Sequence, residues 1–236
     1  AGVVTAGVGA DDLVIENSDN CGISILTPNT SVSSIHFGTP ANSWGASLGW
    51  DYTNLVMDVG PNVAGGILSL FSGAGVEAMR INSAQNVGIG TNAPDGRLHV
   101  HTATAGVVTA LANADDLIVE GSADTGISIL SPDANSSWVI FGSPSNNIGA
   151  TFKWDYGALT YRIGTRTAGA SLVLESGNGT DAVTISSTQN IGIGTSAPDG
   201  RLHVHTATAG AVTAMPSADD LVIENSANCG ISILAP

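Results

Sequence analysis

The chain has 236 residues and a net charge of −14, with only six Lys plus Arg; it is 43% apolar, 5% aromatic and 11% charged. Average proteins carry about 25% charged residues, so this chain is too apolar and too weakly charged to be disordered by composition. So few cations exclude nucleic acid and anionic membrane surfaces as electrostatic partners, and no run of roughly 18 apolar residues exists to span a bilayer.

Taken in chain order, short alternating runs predict strands at residues 12–17, 22–27, 34–38, 46–52, 55–59, 66–71, 77–82 and 97–101. Between them lie turn signals: Ser18-Asp19-Asn20, Thr27-Pro28-Asn29, Gly38-Thr39-Pro40 and Ala93-Pro94-Asp95-Gly96. In these, Pro presets φ, Asp bonds to local backbone and Gly takes positive φ. Met79 and Ile81 point to one side of their strand, Ala78 and Arg80 to the other. Leu98 and Val100 likewise oppose His99 and His101. No sustained helical or heptad periodicity appears, so the fold class is all-β.

The dominant feature is a repeat of 104 residues. AGVVTA begins at Ala1 and at Ala105, and AGAVTA at Ala209. QNVGIGTNAPDGRLHVHTAT from Gln85 returns as QNIGIGTSAPDGRLHVHTAT from Gln189. The units align without a gap as 1–104, 105–208 and a truncated 209–236. Gapless units of this kind belong to repetitive, stacked architectures. A third unit cut short points to a longer natural protein. Cys21 and Cys229 share one repeat position, which Thr125 fills in the middle unit. They are expected to be buried free thiols rather than a disulfide pair.

Two architectures fit. One is a string of tandem β-sandwich domains. The other is a fibre shaft of three intertwined chains, a homotrimeric β-prism or triple β-helix. Aromatic residues, which usually dominate a sandwich core, are scarce. The inter-unit segment HTATAGVVTA is apolar rather than linker-like, and winding chains together removes exposed sheet edges. These features favour the trimer.

The run Asn86-Val87-Gly88-Ile89-Gly90-Thr91-Asn92-Ala93-Pro94, followed by Arg97-Leu98-His99-Val100, resembles the NVGIGT…P…LHV signature of phage tail-fibre proteins and of trimeric fibres on some bacteria. Residues 190–198 with 201–204 repeat it, and the preceding ADDL…GISIL…FG segments resemble shaft domains of such fibres. The resemblance implies a structural shaft on a virion or cell surface. Its partner is a second and third copy of itself, and it projects a receptor-binding tip for host or surface attachment. Host glycan would be met by a tip outside these residues. The alternative functions are an adhesin that binds glycan directly through exposed loops and a tandem-sandwich adhesin that acts as a monomer.

No catalytic residues are identified. The Asp11-Asp12, Asp115-Asp116 and Asp219-Asp220 pairs recur with the repeat, as structural turns do, and no nucleophile-elbow motif is present. Gly88-Ile89-Gly90 lacks the spacing and the following helix of a nucleotide loop; its glycines are expected to permit close strand approach. Trp50 and Trp154 occupy matching positions and are expected to fill a core, whereas Trp44 and Trp138 are unmatched and are the glycan-binding candidates on exposed loops. His99 with His101, and His203 with His205, put two imidazoles on one side of a strand. Three such strands would offer six nitrogens to an axial transition metal, a use that the resemblance to phage fibre tips also implies. Alternation sets against this the burial of Leu98 and Val100, with the histidines facing solvent or a neighbouring strand. That choice is favoured by about 1.5–3 kcal/mol per apolar side chain.

Overall fold

The computed structural model describes Gly7, Gly9 and residues 12–210 and 213–233. The segment 1–6 and Asp11 lie outside the described residues. Among those described, the chain forms sixteen strands in four sheets and no helix. It divides into two units, Ala1–Ile127 and Ser128–Pro236, and each holds one three-stranded and one five-stranded sheet.

In the first unit, β1 (Val32–Thr39), β2 (Asn42–Asp51) and β3 (Val56–Pro61) form an antiparallel meander. The five-stranded sheet runs in order through β4 (Leu68–Ser72), β5 (Val76–Ile81), β6 (Val87–Ile89), β7 (Leu98–His101) and β8 (Leu117–Glu120). Its first three strands are antiparallel neighbours, while β6, β7 and β8 are parallel. The second unit repeats the plan. Its three-stranded sheet holds β9 (Ser136–Ser143), β10 (Asn146–Asp155) and β11 (Thr160–Thr165). Its five-stranded sheet holds β12 (Leu172–Ser176), β13 (Thr180–Ile185), β14 (Ile191–Ile193), β15 (Leu202–His205) and β16 (Leu221–Glu224).

Most expected strands are present, with three differences. Val87–Ile89 is a strand, although its two glycines suggested only a close approach. Residues 22–27 form no strand. Residues 13–16 (LVIE) form none either, whereas the identical tetrapeptide at Leu221–Glu224 pairs parallel with β15. Tetrapeptides have little intrinsic β preference; a partner strand decides. The equivalent segment β8 pairs with β7, so each five-stranded sheet is completed by residues that lie beyond the sequence-repeat boundary.

Register makes each sheet two-faced. In the first five-stranded sheet, Leu68, Ile81, Val87, Leu98 and Leu117 stand in one row, and Leu70, Met79, Ile89, Val100 and Val119 stand in the next row of the same face. The second unit matches it with Leu172, Ile185, Ile191, Leu202 and Leu221, then Leu174, Val183, Ile193, Val204 and Ile223. The three-stranded sheets carry Ile35, Leu48 and Val59 with Trp50 and Met57, and Val139, Phe152 and Ile163 with Trp154 and Tyr161, also on one face each. Yet among the described residues no apolar side chain is buried. The sheets therefore do not close a sandwich core within either unit. The chain exposes 17538 Å². A compact monomer of its mass would expose roughly 9,800 Å², and two separate compact halves roughly 12,000 Å².

Candidate functional site

The most specific side-chain arrangement lies where β7 leaves the NVGIGT turn. Gly88 sits against the Thr91 carbonyl, and Gly90, in left-handed backbone at φ 75°, sits against the carbonyl of His101. Gly96 rests directly on the Asp115 carbonyl, where a Cβ would collide. This close approach allows Arg97 N–H to donate to Asp115 O at 3.0 Å and Leu98 N–H to donate to Asp116 O at 3.1 Å. The strand beyond the repeat boundary is thereby zipped alongside β7. The Asp pair marks a strand entry, as its recurrence suggested.

Strand alternation then places His99 on the face opposite Leu98 and Val100. It is 2% exposed. Its Nδ1 accepts the Asp95 N–H at 3.3 Å, and its Nε2 lies 3.0 Å from Glu120 Oε2. The contact is short, but the N–H direction is off line, so Nε2 makes no aligned hydrogen bond. Glu120 Oε1 accepts the N–H of Ala105 at 2.6 Å. Glu120 thus ties the segment leaving β7 to the strand arriving beside it. Its carboxyl is held below the ordinary range, first by the Ala105 N–H and then by the Thr104 hydroxyl and the imidazoles of His101 and His99, against partial burial. The second unit reproduces the clamp. His203 Nε2 lies 3.1 Å from Glu224 Oε2, Asp199 N–H reaches His203 Nδ1 at 3.3 Å, and Ala209 N–H reaches Glu224 at 2.6 Å.

The histidine pairs do share one face, with ring centroids 5.5 Å apart for His99 and His101 and 5.7 Å for His203 and His205. Each buried histidine faces the neighbouring strand, on the side opposite Leu98 and Val100 or Leu202 and Val204. His99 and His203 are enclosed by their own chain, while Leu98 and Val100 are only half-buried. Backbone and carboxylate partners offset the desolvation of the imidazole. His101 Nδ1 lies 3.3 Å from Gly90 O, and His205 Nδ1 lies 3.2 Å from Gly194 O. Within the single chain, Nδ1 of each of the four rings therefore has a backbone partner. A mixed set exists: Asp95, His99 and Glu120 bring one donor atom each to within 4.8 Å of one another. With Nδ1 accepting the Asp95 N–H, neutral His99 carries its proton on Nε2, the atom facing Glu120. The buried Nε2 thus faces the Glu120 carboxylate without an aligned hydrogen bond. The signal missed in the sequence was Glu120, invisible as a partner because it lies across the repeat boundary.

The glycan candidates fall on strands rather than loops. Trp44, on β2, is 54% exposed and stacks on His36 at 5.5 Å. Trp138, on β9, carries the Lys153 ammonium 4.7 Å from its ring centroid. Trp50 and Trp154 lie on the apolar faces of their sheets. Cys21 and Cys229 are free thiols, exposed in the single chain, and each Sγ donates to a backbone carbonyl of its own segment, Ile15 O at 3.4 Å and Ile223 O at 3.0 Å.

Comparison with models of known families finds no match, and comparison with curated proteins finds none either.

Proposed function

We propose that this chain is the structural shaft of a homotrimeric fibre, a phage tail fibre or a related surface fibre. In this reading, copies wrap together as a β-prism to hold a receptor-binding tip away from a virion or cell. The observation that carries the reading is that every sheet has one predominantly apolar face and no apolar side chain is buried among the described residues. Hydrophobic burial is the main favourable term in folding, and obligate interfaces remove 2,000 Å² or more in total. The excess exposed surface is of that size or larger. A partner presenting the same faces at the same spacing is another copy of the chain, and the tail-fibre resemblance supplies the three-fold count. The shaft itself needs no catalytic centre. Light scattering tests the proposal: the expected mass is three times 23.6 kDa. A stable, cooperatively folded monomer overturns it and favours a monomeric adhesin.

A further inference from the structure

The two three-stranded sheets share backbone, register and one apolar face, yet their opposite faces have diverged. In the first unit, Ser34, Gly49 and Asp58 stand side by side across β1, β2 and β3. At the same positions in the second unit, β9, β10 and β11 present Trp138, Lys153 and Arg162. Arg166, just beyond β11, replaces Asn62. A chain with only six Lys plus Arg thus gathers three of them on or beside one sheet face, two of them at the Trp138 indole. The Lys153 ammonium lies 4.7 Å and the Arg166 guanidinium 5.8 Å from the Trp138 ring centroid. Shaft assembly does not require this row, since the first unit builds the same sheet without it.

We infer that the Trp138–Lys153–Arg162–Arg166 face binds an acidic saccharide. Trp138 is 37% exposed, so the part of its indole not covered by Lys153 and Arg166 is open to the apolar side of a sugar. Lys153 is committed to Asp155 at 2.8 Å, which orients it over the indole. Arg162 and Arg166 are exposed and have no salt bridge among the described residues. Arg162 makes only a long contact, 3.4 Å, to Thr160 Oγ1. Two exposed guanidiniums without a salt bridge among the described residues, one of them beside the indole, suit a planar carboxylate carried on a ring. With Lys153, Asp155, Arg162 and Arg166 counted together, the face carries a local positive charge on an otherwise acidic chain. Charge complementarity therefore selects a compact, singly charged ligand. A long polyanion such as nucleic acid would meet the repulsion of the remaining surface. This goes beyond the shaft reading and does not depend on it.

Calorimetric titration of the intact protein with sialyllactose and, separately, with lactose tests the inference. Sialyllactose is expected to bind at least about tenfold more tightly than lactose, the equivalent of one charge-assisted contact. Arg166→Gln and Trp138→Phe, at exposed positions where folding is not at stake, are each expected to weaken sialyllactose by about tenfold. Acetate should not compete at equal concentration, because it has no ring to stack. Three results would overturn the inference: equal binding of the two sugars, full competition by acetate, or binding unchanged in both variants. A fourth would be a change in oligomeric mass in Arg162→Glu/Arg166→Glu, which would make the face a contact between copies.

Discussion

His99 Nε2 lies 3.0 Å from Glu120 Oε2, although the two residues belong to different copies of the sequence repeat. The same crossing recurs between His203 and Glu224. The five-stranded sheet, closed by Leu117–Glu120 or Leu221–Glu224, is therefore the structural unit of the repeat, whether copies are counted from Ala1 or from any other position. Every sequence junction is spanned by parallel strand pairing and a buried imidazole, so it cannot flex as a linker.

Removing the clamp carboxylates should change acid sensitivity. Glu120 and Glu224 are held below the ordinary carboxylate range when folded. The stability they contribute is present above that range and is lost as pH falls through the depressed folded value. Asp95, His99 and His101 face the first carboxylate, and Asp199, His203 and His205 the second. Thermal melts from neutral pH to about pH 3 should show Glu120→Gln/Glu224→Gln melting lower than wild type at neutral pH and losing part of the acid slope. Parallel curves for the two proteins would refute the clamp.

Gly96→Ala and Gly200→Ala should each cost at least about 2 kcal/mol. A Cβ at either site meets the carbonyl of Asp115 or Asp219, which is backbone and cannot swing aside. Gly126→Ala, with open space around it, serves as the control and should be close to neutral. Denaturant midpoints measure all three.

Leu70 and Ile89 are 49% and 41% exposed in the single chain. On a truly free surface, Leu70→Asp and Ile89→Asp would shift stability by no more than about 0.5 kcal/mol. If copies cover the face, the same changes bury charge and should dissociate or abolish the assembly. Sedimentation velocity separates the two outcomes.

Hydrogen exchange should distinguish two identical tetrapeptides. The amides of Leu221–Glu224 pair with β15, and those of residues 13–16 have no strand partner among the described residues. The first set should exchange more slowly, and deleting residues 189–208 should bring it level with the second.

Chelator should leave melting unchanged, and added zinc should not raise it. A ring whose Nδ1 accepts the Asp95 N–H must give that bond up before Nε2 can ligate. A chelator-dependent drop in Tm would show that an ion replaces the Asp95 contact.

The sequence by itself determined the all-β class, the turns, the 104-residue period and the two-faced strands, because side-chain alternation and turn chemistry are local. It also set His99 and His101 opposite Leu98 and Val100. Only the tertiary structure decided which of those faces the chain encloses and that Glu120 answers His99. Strand pairing depends on which segment arrives alongside, and that segment lies in the next repeat. The placement of Trp138 beside Lys153 and Arg162 was hidden for the same reason: those residues are far apart in sequence and meet only through the register of three strands.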